Sequence, residues 1–402
     1  MRVLEISWEY PPVIEGGLGR HVRKLSESLV RDGVKVHLLT RGGGRLPAEA
    51  DQHGVIVHRV RVGGRGGNFP EDPSAFVRWV DAMNADMHAL AADLCERFDF
   101  DLIHSHDWLV AGAARRAARQ IKRPWLVTVH ATEYGRHQGW VQNHPQSHIH
   151  AAERAMVRSA DHLITCSRYM RVHVANVFGV RPAKITAIPN GIDPRDLEPV
   201  AADLDALRLK YARPEDRLVL LVGRLVYEKG FHLALDALAP IVRRRRGVRF
   251  VVAGTGTAEA ELKRQARRLG LTDHGAFLGW IGDDMLHSLY RISEVCIVPS
   301  IYEPFGLVAL EAMASGCLCV VADTGGLREV VPVDGTVGLR FPSRDATALG
   351  AVLERILTDD AARAQLIADA REHVLAFDWT EVAHRTAEIY AALAAGAITP
   401  AR

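Results

Sequence analysis

Residues 298–316 read "VPSIYEPFGLVALEAMASG". The apolar run leading into this stretch is strand-like, and Pro304, which has no amide proton to give a ladder, prevents that strand from continuing. Gly306 relaxes the backbone, and Leu307 through Ala314 then follow helical periodicity. The unit is strand, turn and helix. It recurs almost from one end of the chain to the other, which is the rhythm of parallel βαβ units.

The pattern predicts a first series of strands at Arg2–Ser7, Lys35–Thr40, Val55–Val60, Leu102–Ser105, Trp125–Val129, His162–Thr165 and Lys184–Ile188. A second series follows at Leu218–Val222, Arg249–Ala253, Val295–Pro299 and Cys317–Ala322. Amphipathic helices fall between most of them. In the helix expected after Gly19, Val22, Leu25, Leu29 and Val30 share one face while Arg20, Arg23, Lys24 and Glu27 take the other. The boundary lies at "PNGID", Pro189–Asp193, where Asn-Gly signals a turn and the composition becomes acidic.

The expected fold is therefore α/β, with two Rossmann-like, doubly wound parallel-sheet domains. They cover residues 1–190 and 191–378, and a last helix within 379–402 packs back on the first domain. At roughly 150 residues per domain, a chain of 402 residues suits this division. Open parallel sheets bind ligands beyond the carboxyl ends of their strands, so two such sheets facing each other imply an interdomain cleft.

Composition narrows the partners. Fifty basic and 48 acidic side chains leave a formal charge of +2, which is no footprint for nucleic acid. The five cysteines are widely spaced, mostly in apolar runs, and read as reduced core residues. No run of eighteen apolar residues exists, and the first strand begins too early for a signal h-region, so the expectation is a cytoplasmic protein. The "DFD" at Asp99–Asp101 sits at the amino end of a strand, and His144, His148 and His150 read as surface or acceptor-loop residues, so neither a metal nor a cofactor is expected. Arg243–Arg246 read as a solvated helix end. Arg115, Arg116, Arg119, Lys122 and Arg123 form a basic cluster, read as a solvated face in preference to a membrane contact.

The strand ends carry the informative residues. After the first strand, "EYPPVIEGGLGRH" places Gly16, Gly17 and Gly19 before a helix, which suits either a plain turn or a phosphate held by backbone amides. At the head of the second series, "VGRLVYEKG" places Arg224 and Lys229 where a guanidinium fork and an ammonium could hold a diphosphate. Gly254 and Gly256, then Gly279 and Gly282 around Trp280 and Ile281, form loops suited to the edge of a base, and Trp280 is either a core cap or a ligand contact. In the opening stretch, the first-turn amides near Phe305, Gly306 and Leu307 make a further anion site.

Glu303 and Glu311, eight positions apart, match the E-x7-E motif of retaining glycosyltransferases with the GT-B fold, in the family that includes bacterial glycogen synthases. "GGLG", "HSHDW", "TVH", "PNGID", "GR…EKG", "EPFGL…E" and "TGGLREVV" resemble that family's motifs in the family's order, over nearly the whole chain. The resemblance implies that Glu303 faces the transferred sugar and Glu311 the ribose. It implies that Arg224 and Lys229 clamp the diphosphate with the amides of Gly306 and Leu307, and that Gly16 and Gly17 form a second phosphate loop. It assigns His130 to the donor sugar, Asp107 to a sugar contact and Asn190 to the cleft lining. Where glycogen synthases usually carry a lysine two residues before the double glycine, this chain has Ile14, followed by Glu15.

The expected reaction moves glucose from ADP-glucose or UDP-glucose to an α-1,4-glucan or similar oligosaccharide, without a metal. Cations and amides stabilise the leaving diphosphate, while Glu303 favours the cationic sugar. A peripheral-membrane enzyme acting on a lipid or small molecule is the alternative. A glycosidase is set aside because its two carboxylates need no anion-binding apparatus.

Overall fold

Val, Ile and Leu dominate the strands on both faces, because helices cover both sides of a parallel sheet. The structure, a computed structural model, describes residues 1–62, 73–198, 200, 203–245 and 247–397. Arg246, residues 398–402 and part of the acidic stretch after Asp193 therefore lie outside the described residues.

Among the described residues, the first sheet contains β1 (Arg2–Ile6), β2 (Lys35–Arg41), β3 (Glu49–Gln52), β4 (Val55–Val60), β5 (Leu102–His106), β6 (Trp125–Val129), β7 (His162–Thr165) and β8 (Ile185–Ala187). Its order is β3-β4-β2-β1-β5-β6-β7-β8, parallel except for the β3–β4 hairpin. The second contains β9 (Arg217–Val222), β10 (Val248–Ala253), β11 (Gly275–Gly279), β12 (Val295–Val298), β13 (Leu318–Asp323) and β14 (Leu339–Pro342). Its order is β11-β10-β9-β12-β13-β14, parallel throughout. The chain accordingly divides into two units, Met1–Gly191 with the segment from Trp379 onward, and Ile192–Asp378.

All eleven strands expected from the pattern are present to within one residue at each end, and three others were not legible. β3 is a polar edge strand joined to β4 through His53 and Gly54, both at positive φ, the backbone of a tight hairpin turn. β11 is bounded by glycines and lacks a continuous apolar run; a Cβ on Gly275 would lie 2.1 Å from the Phe250 ring of the neighbouring strand. β14 is stopped by its own proline.

The first helix begins at Gly17, so Gly17 and Gly19 lie in its first turn instead of ahead of it. In the first unit, the carboxyl-terminal helix Trp379–Ala394 buries Trp379, Val382, Ile389 and Tyr390 against the helix Gly17–Arg31 and the strands beneath. Each fully buried aliphatic or aromatic side chain there contributes about 1.5–3 kcal/mol. Every described cysteine is free and all but Cys95 are buried; Cys319 lies within β13 and Cys317 just before it.

Each sheet reverses its strand order once. In the first unit the reversal lies between β1 and β5, in the second between β9 and β12. Such switch points open a crevice at the carboxyl ends of the two diverging strands.

Candidate active site

In the second unit, the loops leaving β9 and β12 meet at the switch point. The first runs through Gly223, at φ +142, and Arg224 into a short turn at Tyr227–Lys229 that Gly230 ends in the left-handed region. Its Glu228 carbonyl accepts the amides of Ile301 at 2.8 Å and Tyr302 at 3.2 Å, which ties it to the second loop. Lys229 Nζ then donates to Glu303 Oε2 at 2.8 Å, and Ser300 Oγ donates to the same oxygen at 2.9 Å. Arg224 reaches Glu228 only at 3.8 Å and is about half exposed.

Glu303 is followed by Pro304, Phe305 and Gly306, the last at φ +117 and heading the helix Leu307–Ala314. No side chain caps this helix, so the orphan amides of its first turn are left for an external acceptor. The Phe305 side chain is buried against Phe377, which restricts its own contribution to the backbone. Glu311, one turn into the helix, is half-buried, and its Oε2 accepts the hydroxyl of the fully buried Tyr290 at 3.0 Å. Burial and the Glu311 carboxylate hold that phenol well above its ordinary range.

In the loops proposed to read a base, packing also constrains the glycines. Gly254, at φ +130, is a glycine because a Cβ would lie 2.0 Å from the Gly223 carbonyl, and its amide donates to the Gly279 carbonyl at 2.7 Å. That close approach of neighbouring strand ends requires a glycine here. Gly256 is confined similarly, 2.4 Å from the Leu225 carbonyl. Trp280 is 79% exposed and so caps no core, while Ile281 beside it is half-buried.

In the first unit, the glycine loop is occupied by the protein's own carboxylate. Glu9 Oε2 accepts the amides of Glu15 at 2.8 Å and Gly16 at 3.1 Å, and burial pushes the Glu9 carboxyl upward. The amide of Gly16, expected to meet a phosphate, thus carries an internal anion here, although nothing lies within 4 Å of where its Cβ would be. Arg41 pairs with Glu15, donates to the Trp8 carbonyl at 3.0 Å and stacks on the Trp8 ring. Ile14 packs on Gly19, where a Cβ would lie 2.6 Å from its Cγ2.

His130 follows β6 directly. Its amide donates to Asp107 Oδ1 at 2.7 Å, and its Nε2 lies 3.1 Å from His106 Nδ1. Burial, with the nearby His104 and Arg136, lowers its pKa to about 3, so the ring is neutral. Asp107, at φ +59, is only 6% exposed, and burial raises it to about 6 against the pull of Arg136 and of the His130 and Ala131 amides. Asp107 thus positions the His130 loop, with one oxygen of its buried carboxylate accepting the His130 amide. Asn190 is also buried, beside His21.

Several participants escaped the sequence reading: His21, His106, Ser300, Tyr290, Tyr390 and Glu5. Tyr390 Oη lies 2.6 Å from His104 Nδ1 and donates to Glu5 Oε1 at 3.2 Å, while His104 Nε2 lies 2.8 Å from Thr128 Oγ1. "HSH" in β5 was the available signal, since two histidines on a strand otherwise buried need partners. The two aspartates of "DFD" are structural: Asp101 accepts the amide of Arg2 at 2.8 Å, and Asp99 pairs with Arg123.

Residues 16–191 match the family described as "Glycosyl transferase 4-like domain", and residues 205–373 match "Glycosyl transferases group 1". The chain is 38% identical to a glycogen synthase of Mycobacterium tuberculosis over all of its own length and 97% of the relative's. It is 31% identical to a D-inositol 3-phosphate glycosyltransferase of Kineococcus radiotolerans over 93% of this chain and 90% of the relative's. Among solved structures, sucrose-phosphate synthase from Thermosynechococcus elongatus superposes with a TM-score of 0.83 at 27% identity, covering 98% of this chain and 99% of that one. With these family matches over both units and this likeness over its full length, the chain belongs to the group 1, family 4 glycosyltransferases, retaining enzymes of GT-B fold that use nucleotide-sugar donors.

Proposed function

We propose that this protein transfers glucose from ADP-glucose or UDP-glucose to the end of an α-1,4-glucan, with retention of configuration. The observation that carries the reading is the pairing of Lys229 with Glu303 beside an uncapped helix start. One cation, one carboxylate and a set of amides suit the two charges that separate when the anomeric bond breaks. The likeness to a glycogen synthase over the full chain supports the glucan acceptor.

In this reading, Arg224, Lys229 and the amides of Gly306 and Leu307 hold the diphosphate and take up its developing charge. Glu303 lies at the sugar and favours its partial positive charge; Glu311, oriented by Tyr290, accepts from the ribose hydroxyls. Neutral His130 contacts the donor sugar, with Asp107 fixing its loop. The acceptor hydroxyl attacks from the face the diphosphate leaves, and the departing phosphate helps to take its proton. Gly16 and Gly17 contribute to phosphate binding only after Glu9 gives up the Gly16 amide.

A small anionic acceptor is the second reading, supported by the relative named for D-inositol 3-phosphate. The basic helix gives less support to a lipid acceptor: Arg116 donates to the carbonyls of Gly112 and Asn84, and Arg123 pairs with Asp99. Among the described residues, no helix is long and apolar enough to cross a membrane. A matrix of nucleoside diphosphate sugars against maltooligosaccharides, inositol phosphates and lipids, with product linkage determined, tests both. Absence of glucosyl transfer to any maltooligosaccharide would overturn the first reading.

A further inference from the structure

Three histidines converge in the first unit. His21 comes from the helix Gly17–Arg31, His106 from the end of β5 and His130 from the residue after β6. Each offers a ring nitrogen, and the three nitrogens lie within 4.8 Å of one another. The His21 and His130 ring centroids are 4.6 Å apart, and those of His106 and His130 are 5.4 Å apart.

The trio is poorly satisfied as it stands. His21 is 5% exposed and His106 fully buried, yet neither His21 nitrogen nor His106 Nε2 has an aligned hydrogen-bond partner. The Asn190 amide leans toward His21, but its Oδ1 also lacks an aligned donor. An unsatisfied buried polar atom costs about 1–3 kcal/mol, so His21, with neither ring nitrogen aligned on a partner, gains from a guest that takes one of them.

The adjoining group Glu5, His104 and His106 has comparable spacing but a different condition. There Glu5 is held by Ser26 and Tyr390, and His104 by Tyr390 and Thr128. Its ligands are already spoken for.

We propose that His21, His106 and His130 bind one borderline divalent transition-metal ion, of which Zn²⁺ is the representative, through three imidazoles. Imidazole suits such ions, whereas Mg²⁺ and Ca²⁺ require oxygen ligands that this cluster lacks. Tetrahedral zinc with Zn–N bonds of about 2.0–2.1 Å needs its ligand nitrogens about 3.3 Å apart, a separation that His106 Nδ1 and His130 Nε2, at 3.1 Å, already approximate, and binding through these two atoms replaces the hydrogen bond between them. The His21 ring, whose centroid lies 4.6 Å from that of His130 and 5.8 Å from that of His106, has to turn within its packing to complete the set. A metal-bound imidazole binds through one nitrogen and keeps its proton on the other, turned away from the metal. Three protein ligands leave the fourth position for water or a substrate oxygen.

The binding claim is independent of any role for His130 in transfer. If His130 contacts the donor sugar, bound metal takes that contact away and inhibits the enzyme.

Chelator-treated full-length protein titrated with ZnCl2 in a calorimeter tests the site. One equivalent is expected to bind to wild type, and His21→Gln and His106→Gln should each weaken binding by about 10–100-fold or more. His162→Gln, which changes a buried histidine paired elsewhere with Thr186, should leave it unchanged. Far-UV circular dichroism establishes that the variants are folded. X-ray absorption at the zinc edge of loaded wild-type protein needs no variant, and should show nitrogen or oxygen neighbours with the outer-shell pattern of three imidazoles. Failure of wild type to bind zinc, undiminished affinity in folded His21→Gln, or a sulfur-containing shell would overturn the proposal.

Discussion

Lys229 Nζ lies 2.8 Å from Glu303 Oε2, so a cation expected to hold phosphate is paired with the carboxylate expected to face the sugar. Both side chains are largely shielded, at 21% and 10% exposure, which makes the pairing stronger than a surface ion pair. In the proposed clamp, donor binding diverts the ammonium from Glu303 toward the diphosphate. Replacing the lysine removes a contact strengthened in the transition state: Lys229→Ala should lower kcat by roughly 10²-fold to 10³-fold at saturating donor. Wild-type turnover in the purified variant would refute the clamp assignment.

The same pair makes an opposite prediction for product affinity. In Glu303→Gln the ammonium is no longer held by a carboxylate, so the nucleoside diphosphate should bind about 3-fold to 10-fold tighter, the equivalent of one hydrogen bond, even as transfer falls. Calorimetric titration with ADP and UDP measures this. Weaker binding of both would mean that Glu303 itself helps to hold the nucleotide.

Tyr290 orients Glu311 from a position with no exposure of its own. Tyr290→Phe preserves the packing and removes the donor. The expected result is a donor KM raised by about 3-fold to 10-fold with kcat nearly unchanged, since a ribose contact contributes equally to ground and transition states. A fall confined to kcat would remove Glu311 from ribose binding.

Tyr390 joins the carboxyl-terminal helix to Glu5 and His104. Tyr390→Phe leaves buried polar atoms short of a partner and should cost about 1–3 kcal/mol. Six of the seven tryptophans lie in the first unit, so the urea midpoint followed by tryptophan fluorescence chiefly reports it. An unchanged midpoint would make the hydroxyl dispensable.

Glu153 accepts the Glu133 amide at 2.8 Å, and burial raises its carboxyl from an ordinary 4.5 to about 8. The folded chain keeps this proton across that interval while the unfolded chain has lost it. The carboxyl therefore makes wild type less stable as pH rises from about 4.5 to about 8. Glu153→Gln lacks this slope, so its stability relative to wild type should increase between pH 5 and pH 8 in thermal melts. A difference independent of pH would show that the carboxyl is ionised in the folded chain.

The sequence alone determined the strand series, the strand-turn-helix unit at Glu303 and the family, because apolar runs, proline, glycine and motif order are local properties of the chain. It missed β3, β11 and β14, whose pairing rests on a tight turn and on neighbouring side chains more than on their own hydrophobicity. Tertiary structure alone decided which charges meet. Glu9 fills the amides of the glycine loop, Asp107 faces inward to the His130 amide, Gly254 is shaped by Gly223, and Tyr390 reaches Glu5 from 385 residues away. Hydrogen bonds and ion pairs act over a few ångströms of space, and the spacing of residues along a chain carries no measure of that distance until the sheets bring their strand ends together.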